Sequence, residues 1–73
     1  MASKQQHRKT LGEVIRSLRE KAELSQEQLA EKADLHHNYV GEIERGEKAV
    51  TIDTLVKIAK GLDEWVRDLV SEL

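Results

Sequence analysis

The chain has 73 residues, of which 36% are charged and 38% hydrophobic, and it contains two aromatic residues and no cysteine. This length allows one domain, and the missing cysteine excludes disulfides and thiolate metal sites. No apolar run is long enough for a signal peptide or a membrane span, so we expect a cytoplasmic protein with no membrane contact.

The net charge of −2 is unevenly distributed along the chain. Residues 1–22 hold six basic and two acidic side chains, whereas residues 23–73 hold six basic and twelve acidic ones. Proteins that bind nucleic acids usually present a basic surface, and a chain that is acidic overall departs from that rule. The overall charge therefore leaves the class of partner open, and local patterns have to decide it.

The sequence of residues 1–22 predicts a tail followed by a helix. Residues 1–9 carry no apolar periodicity and indicate a flexible basic tail, which is either disordered or an arm that touches an anion. A first helix is predicted over residues 10–22, and Thr10 and Glu13 at its start match a capping box, in which each side chain satisfies a free backbone N–H. Its apolar residues fall on one stripe, which consists of Leu11, Val14, Ile15, Leu18 and Ala22.

The second and third helices are predicted over residues 25–33 and 37–45. Ser25 and Gln28 form a capping box at the start of the second helix, and Gly46 ends the third because glycine tolerates a positive φ. Only residues 34–36 separate the two helices, which forces them to cross at a steep angle. This spacing is typical of a helix-turn-helix, whose second helix stands free to enter a major groove. The inward face of that helix is expected to be Tyr39, Val40 and Ile43.

Two further helices complete the predicted domain. The fourth covers residues 51–62 and is capped by Thr51, and Asp63 is predicted to cap a fifth helix that ends at or near Leu73. The inward face of the fourth helix is expected to consist of Ile52, Leu55, Val56, Ala59 and Leu62. The fifth carries a wide apolar stripe of Trp65, Val66, Leu69, Val70 and Leu73. We therefore predict an all-α fold with one five-helix domain over residues 10–73.

The segment LSQEQLAEKADLHHNYVGEIERGEKAVTIDTLVKIAKGL resembles the DNA-binding domain of phage repressor and Cro proteins, the XRE family. The resemblance lies in the Ser-Gln-x-x-Leu-Ala opening, the Ile-Glu-Arg-Gly end of the third helix and the Thr-x-x-Thr-Leu-x-x-Ile-Ala run. The Asn-Tyr-Val-x-x-Ile-Glu-Arg-Gly version, followed by one short helix, is most similar to controller proteins of restriction–modification systems. The resemblance implies a compact lambda-repressor-like fold and a transcriptional regulator that binds double-stranded DNA.

The resemblance also implies which residues meet DNA. The outward positions of the third helix would read bases in the major groove, since an asparagine amide bonds bidentately to adenine and a histidine donates to guanine. These base-reading positions are His37, Asn38, Gly41 and Glu42. The DNA backbone would be held by Gln26, Arg45 and Lys48. Arg19 would pair with Glu44 as a structural link between the first and third helices.

Several positions keep a second interpretation. Gly41 is either a close approach to the groove or an unoptimised surface glycine, and Glu42 either accepts from cytosine or pairs with a neighbouring arginine. Asp34 replaces the glycine that is usual in the family's turn, and His36 takes a cap position where Ser, Thr or Asp is commoner. The paired histidines predict no metal site, because adjacent side chains on a helix point about 100° apart, and no cofactor is expected.

The last helix predicts a homodimer interface over residues 63–73, formed by Trp65, Val66, Leu69, Val70 and Leu73, with packing inside the domain as the alternative. A two-fold dimer suits a near-palindromic operator whose half-sites lie one DNA turn apart. The competing function is a protein-interaction module such as the antitoxin of a toxin–antitoxin pair, and no residue set predicts an enzyme. We expect a nucleoid-associated regulator of bacterial or phage origin, which would contact RNA polymerase if it activates transcription.

Overall fold

The computed structural model describes residues 4–73, with side chains from residue 6 onward. These residues form five helices and no strand, which confirms the predicted all-α class. No helix in this part of the chain is long and apolar enough to cross a membrane. The helices are α1 (Lys4–Lys21), α2 (Gln26–Ala33), α3 (His37–Glu44), α4 (Ile52–Leu62) and α5 (Val66–Val70).

Every helix contributes to one apolar core. α2 packs against both α3 and α4, while α1 packs against α3 and α5. The largest side chains with no exposed surface are Ile15, Leu29, Val40, Ile43, Ile58 and Leu69. α1 and α2 pack against α3, and α4 packs against α2. The side of α3 that is turned away from these helices therefore faces outward.

The first helix begins at Lys4, six residues before the predicted start. The prediction of a flexible tail is therefore wrong for residues 4–9, and residues 1–3 of that tail lie outside the described residues. Thr10 is a residue of the helix interior, where its Oγ1 accepts a hydrogen bond from Gln6 Nε2 at 3.3 Å, and it caps nothing. The physical reason is propensity: lysine, glutamine and arginine favour a helix without any apolar periodicity.

The predicted N-terminal caps of α2 and α4 are confirmed. At α2, the backbone N–H of Gln28 donates to Ser25 Oγ at 3.0 Å, and the N–H of Ser25 donates to Gln28 Oε1 at 2.8 Å. At α4, the N–H of Thr54 donates to Thr51 Oγ1 at 3.1 Å. These bonds fix where the two helices begin.

Four helices end with the same geometry. A residue with left-handed backbone follows each helix, and the next N–H reaches back five residues to a carbonyl of the last turn, which is the Schellman pattern. The left-handed residues are Glu23 (φ 61°), Asp34 (φ 56°), Gly46 (φ 75°) and Asp63 (φ 58°). The corresponding bonds are Leu24 to Arg19, Leu35 to Ala30, Glu47 to Glu42 and Glu64 to Ala59, all between 2.8 and 3.1 Å.

The start of α5 differs from the prediction, because Asp63 ends α4 and does not cap α5. The helix begins after Trp65, whose backbone N–H donates to Asp68 Oδ2 at 3.2 Å. Asp63 serves the preceding helix because aspartate tolerates the left-handed conformation that a Schellman end requires.

The apolar side chains of the last residues face in different directions. Leu69 has 0% of its surface exposed and belongs to the core, which for this residue favours the alternative of packing inside the domain. Val66 and Val70 are half-buried and pack against the core, whereas Trp65 and Leu73 are 69% and 51% exposed. The stripe therefore covers its own domain first.

The inward face of α4 also differs from the prediction. Leu55, Ile58, Ala59 and Leu62 are buried together with Thr54, but Ile52 is 72% exposed and Val56 lies at the surface. Ile52 and Val56 are four residues apart, so they lie on one side of the helix and leave an apolar strip in the open.

Candidate nucleic-acid interface

The turn between α2 and α3 is held by its two unusual residues. Asp34 has the left-handed backbone that the glycine of the family's turn would supply. The N–H of Asn38 donates to His36 Nδ1 at 3.1 Å, so a histidine caps α3 in place of a hydroxyl or carboxylate, as predicted. The predicted helix-turn-helix, with α2 and α3 in contact across three connecting residues, is present.

The outward side of α3 forms one shallow depression with the start of α2. Six of the seven residues predicted to meet DNA line it, and we call these six the outer face. They are Gln26, His37, Asn38, Gly41, Glu42 and Arg45. Lys48 does not line it and is exposed in the loop that follows α3. The fold thus gathers residues from two helices on a single concave polar surface.

Gly41 is buried, which argues against its interpretation as an unoptimised surface glycine. A Cβ placed there would lie 3.1 Å from Arg45 Nη1 and 3.3 Å from Gln26 Oε1. The two long side chains converge over the glycine because it has no side chain to keep them apart. Gly41 therefore shapes the floor of the outer face, while Gln26 and Arg45 present their polar ends above it.

The carboxylate of Glu44 connects three helices. It accepts from Arg19 Nε at 2.6 Å and Nη2 at 3.0 Å, and from Gln26 Nε2 at 3.1 Å. Arg19 also donates from Nη1 to the carbonyl of Leu24 at 2.8 Å, and its hydrogen bond to Glu44 raises the pKa of the guanidinium. The negative charge of Glu44 is therefore neutralised inside the protein, and the same group fixes the amide of Gln26.

Arg45 is paired with a carboxylate that sequence reasoning missed. Its Nε and Nη2 donate to the two oxygens of Glu47 at 3.0 and 3.2 Å. This hydrogen-bonded pairing raises the pKa of Arg45 and lowers the pKa of Glu47. Both side chains are more than half exposed, and exposed ion pairs contribute little to stability because water screens them. Arg45 can therefore exchange Glu47 for another anion at small cost.

The paired histidines stack on each other, with ring centroids 4.6 Å apart. Within residues 4–73, no three histidine, aspartate or glutamate side chains gather as metal ligands would. His36 is occupied with the cap of α3, which leaves the exposed ring of His37 as the one of the pair that lines the outer face.

Comparisons with known proteins agree with this geometry. Residues 15–64 match the family model HTH_3, described as helix-turn-helix. The chain is 48% identical over 61 residues to the control protein C.SmaI of Serratia marcescens, a match that covers 84% of this chain and 73% of that protein. It is 42% identical over 60 residues to the control protein C.BamHI of Bacillus amyloliquefaciens, covering 81% and 74%.

A solved structure extends the similarity to the fold. The restriction–modification controller protein C.AhdI from Aeromonas hydrophila superposes with a TM-score of 0.84 at 39% identity, covering 85% of this chain and 94% of that one. The resemblance to the XRE family and to its controller proteins, predicted from the sequence motifs, is confirmed.

Proposed function

Because the chain belongs to the helix-turn-helix family, we propose that it acts as a homodimer on a near-palindromic DNA operator, with α3 in the major groove. At the level of the family, it is a DNA-binding transcriptional regulator of the restriction–modification controller type. The observation that carries the proposal is the outer face, where polar side chains from α2 and α3 surround one depression. The antitoxin alternative is not favoured, because the relatives above are control proteins.

Base reading is assigned to the exposed start of α3. Asn38 has the paired donor and acceptor that match adenine, and His37 beside it offers a ring nitrogen to a guanine acceptor. Glu42 is half-buried in the same depression, where a carboxylate accepts from the amino group of cytosine. Gly41 contributes by its lack of a side chain, which lets Gln26 and Arg45 converge over the helix beside these base-reading residues.

Backbone contacts are assigned to Gln26, Arg45 and Lys48. A carboxamide nitrogen carries two N–H donors, and Glu44 takes one from Gln26, which leaves the second for a phosphate oxygen. Arg45 would exchange Glu47 for a phosphate, and Lys48 adds a point charge from the exposed loop. Together they hold α3 in register along the groove.

The dimer interface is revised to exposed apolar side chains at the start of α4 and around α5. Ile52 and Val56 lie on one side of α4, and Trp65 adjoins that helix beside Ala59 and Lys60. Exposed aromatic and aliphatic groups of this size are typical of protein interfaces. We propose that a second copy covers Ile52, Val56 and Trp65, and the two α3 helices would then have to match half-sites about 34–36 Å apart.

The proposal is tested by selecting a duplex from a random pool and measuring its affinity beside that of an unselected duplex. We expect the selected sequence to be near-palindromic and to bind at least about 10³-fold more tightly, as specific binders do. Asn38→Ala should cost about 1–3 kcal/mol on the selected duplex and little on the other. Ser17→Ala, at an exposed position of α1, is the matched control.

Two outcomes would contradict the proposal. Equal affinity for both duplexes, or no binding to either, would exclude a sequence-specific regulator. A loss from Asn38→Ala that is the same on both duplexes would instead make Asn38 a backbone contact and remove it from the base-reading set.

A further inference from the structure

We infer that Lys9, on the N-terminal half of α1, is an additional phosphate contact of this chain. The inference rests on the proposed function, since it extends the same DNA interface beyond the helix-turn-helix. It also gives the basic N-terminal segment a defined place, because that segment is helical from Lys4 onward and not a loose tail.

The position of Lys9 follows from how α1 crosses the end of α3. The backbone of Gly12 lies against the carbonyls of Ile43 and Glu44, so close that a Cβ on Gly12 would be 2.6 Å from Glu44 O. One turn earlier on α1, the Cα of Lys9 lies 3.0 Å from the place that a Cβ of Gly46 would occupy. The backbone of Lys9 therefore rests directly on the loop that follows α3.

That loop is the one assigned to the DNA backbone. Gly46 stands between Arg45 and Lys48, and its positive φ together with the contact to Lys9 leaves no room for a side chain. The loop and α1 thus meet backbone to backbone. Lys9 is exposed, so its ammonium group extends from this contact on a flexible four-carbon stem.

The ion pairs near the loop leave Lys9 available to an anion from outside the protein, although the Glu47 carboxylate, which pairs with Arg45, also lies near Lys48. The ion pairs of the described residues are Arg16 with Glu20, Arg19 with Glu44 and Arg45 with Glu47, and none of them uses Lys9 or Lys48. Lys9 and Lys48 flank Gly46 from two different elements. A phosphate that approaches the loop would meet both side chains. Because Lys9 lies on a helix, binding would not carry the entropy cost of ordering a disordered arm.

A structural role is the competing explanation for Lys9. The C-terminal carbonyls of α3 lie close by, and a cation near them stabilises a helix through its dipole. Such a role would affect folding stability and leave DNA binding unchanged. The two explanations therefore predict changes in different measurements.

The test uses the full chain and its Lys9→Gln variant, with Lys57→Gln as the matched control. Lys57 is also an exposed lysine, but it lies on α4 and is not among the residues of the outer face. Binding to the selected duplex and to a random duplex is measured between about 50 and 200 mM salt. Thermal unfolding of all three proteins is measured in parallel.

We expect Lys9→Gln to weaken binding to both duplexes about five- to tenfold near 0.1 M salt and to reduce the salt slope by about 0.9. Lys57→Gln should match the unaltered chain. Unchanged affinity and slope in Lys9→Gln, or a lower melting temperature alone, would overturn the inference while leaving the proposed function intact. If the unaltered chain bound no duplex, the proposed function and this inference would both fall. If it bound both duplexes equally, only sequence specificity would fall, and the slope would still decide the role of Lys9.

Discussion

At the scale of single residues, Glu44 joins the stability of the fold to the geometry of the interface. Its carboxylate is almost fully buried and holds Arg19 on one side and the amide of Gln26 on the other. A buried charge without its partner is costly, whereas an exposed pair of the same residue types contributes little. The chain contains both kinds of pair, because Arg16 and Glu20 on α1 are 63% and 56% exposed.

This contrast gives a prediction about folding. Arg19→Met should lower the free energy of unfolding by about 3–5 kcal/mol, because it leaves the Glu44 carboxylate buried and without its cation. Arg16→Met changes the same residue type in an exposed pair and should stay within about 0.5 kcal/mol of the unaltered chain. Urea unfolding followed by circular dichroism measures both, and equal losses in the two variants would mean that Glu44 is better solvated than its burial indicates.

At the scale of elements, the repeated helix ends set the lengths of α1 to α4. Each of these helices stops at a left-handed residue, yet only Gly46 is a glycine. Aspartate bears this conformation better than most residues, and glutamate bears it poorly, so Glu23 is the least suited of the four. At the end of α1, Glu23 is therefore held in a backbone conformation that its residue type disfavours.

Replacing Glu23 by a residue that tolerates the left-handed conformation should stabilise the protein. Glu23→Gly removes a left-handed cost of about 1–2 kcal/mol and adds some entropy to the unfolded chain, so we expect a net gain of about 0.5–1 kcal/mol. Glu31→Gly makes the same change inside α2 and should cost about 1 kcal/mol. Thermal unfolding of the two variants would show shifts of opposite sign, and a destabilised Glu23→Gly would contradict the assignment of strain.

The boundaries that the sequence predicted correctly have a local chemical cause. Ser25, Thr51 and Gly46 act through bonds to their own neighbours in the chain, so their residue types are sufficient evidence. The start of α1 was missed because periodicity detects a buried face, whereas residues 4–9 are helical through propensity. Asp63 was misplaced because the same residue type suits both the end of one helix and the start of the next.

The residues of the candidate site could be predicted from the sequence, but their contacts with one another could not. The positions on α3 follow from its period and the family motif, and six of the seven meet at one surface. The contacts of Gln26 with Glu44 and of Arg45 with Glu47 could not be read from spacing, because they depend on how side chains fold across Gly41 and the loop. A stripe of apolar residues likewise does not show which of its side chains the core of the domain buries. Leu69 is buried and Trp65 is exposed, although both belong to the same stripe.

At the scale of the whole molecule, the exposed apolar side chains form the surface that we propose for contact between two copies. Ile52, Val56, Trp65 and Leu73 are the large hydrophobic residues left exposed in the described part of the chain. A domain of this size has a small core, so association through such groups adds burial that the monomer lacks. DNA recognition by two half-sites would then depend on residues remote from the outer face.

Ile52→Glu tests this arrangement. The side chain is 72% exposed, so the monomer should fold normally while a buried carboxylate opposes the dimer. We expect a shift to monomers in sedimentation and a large loss of affinity for the palindromic duplex, with single half-sites bound as before. Ser17→Glu adds the same charge at an exposed site on α1 and should remain dimeric. A dimeric Ile52→Glu variant would place the interface elsewhere.

The cap of α3 by His36 has a consequence for how proteins of this type diversify. Because the cap uses the His36 ring and a backbone N–H, the folding of α3 does not require the carboxamide of Asn38. Residue 38 can therefore change while the start of the helix is kept, whereas residue 37 also stacks on His36. Under the proposed base reading, a lineage could exchange residue 38 and acquire a new target sequence while each intermediate still folds.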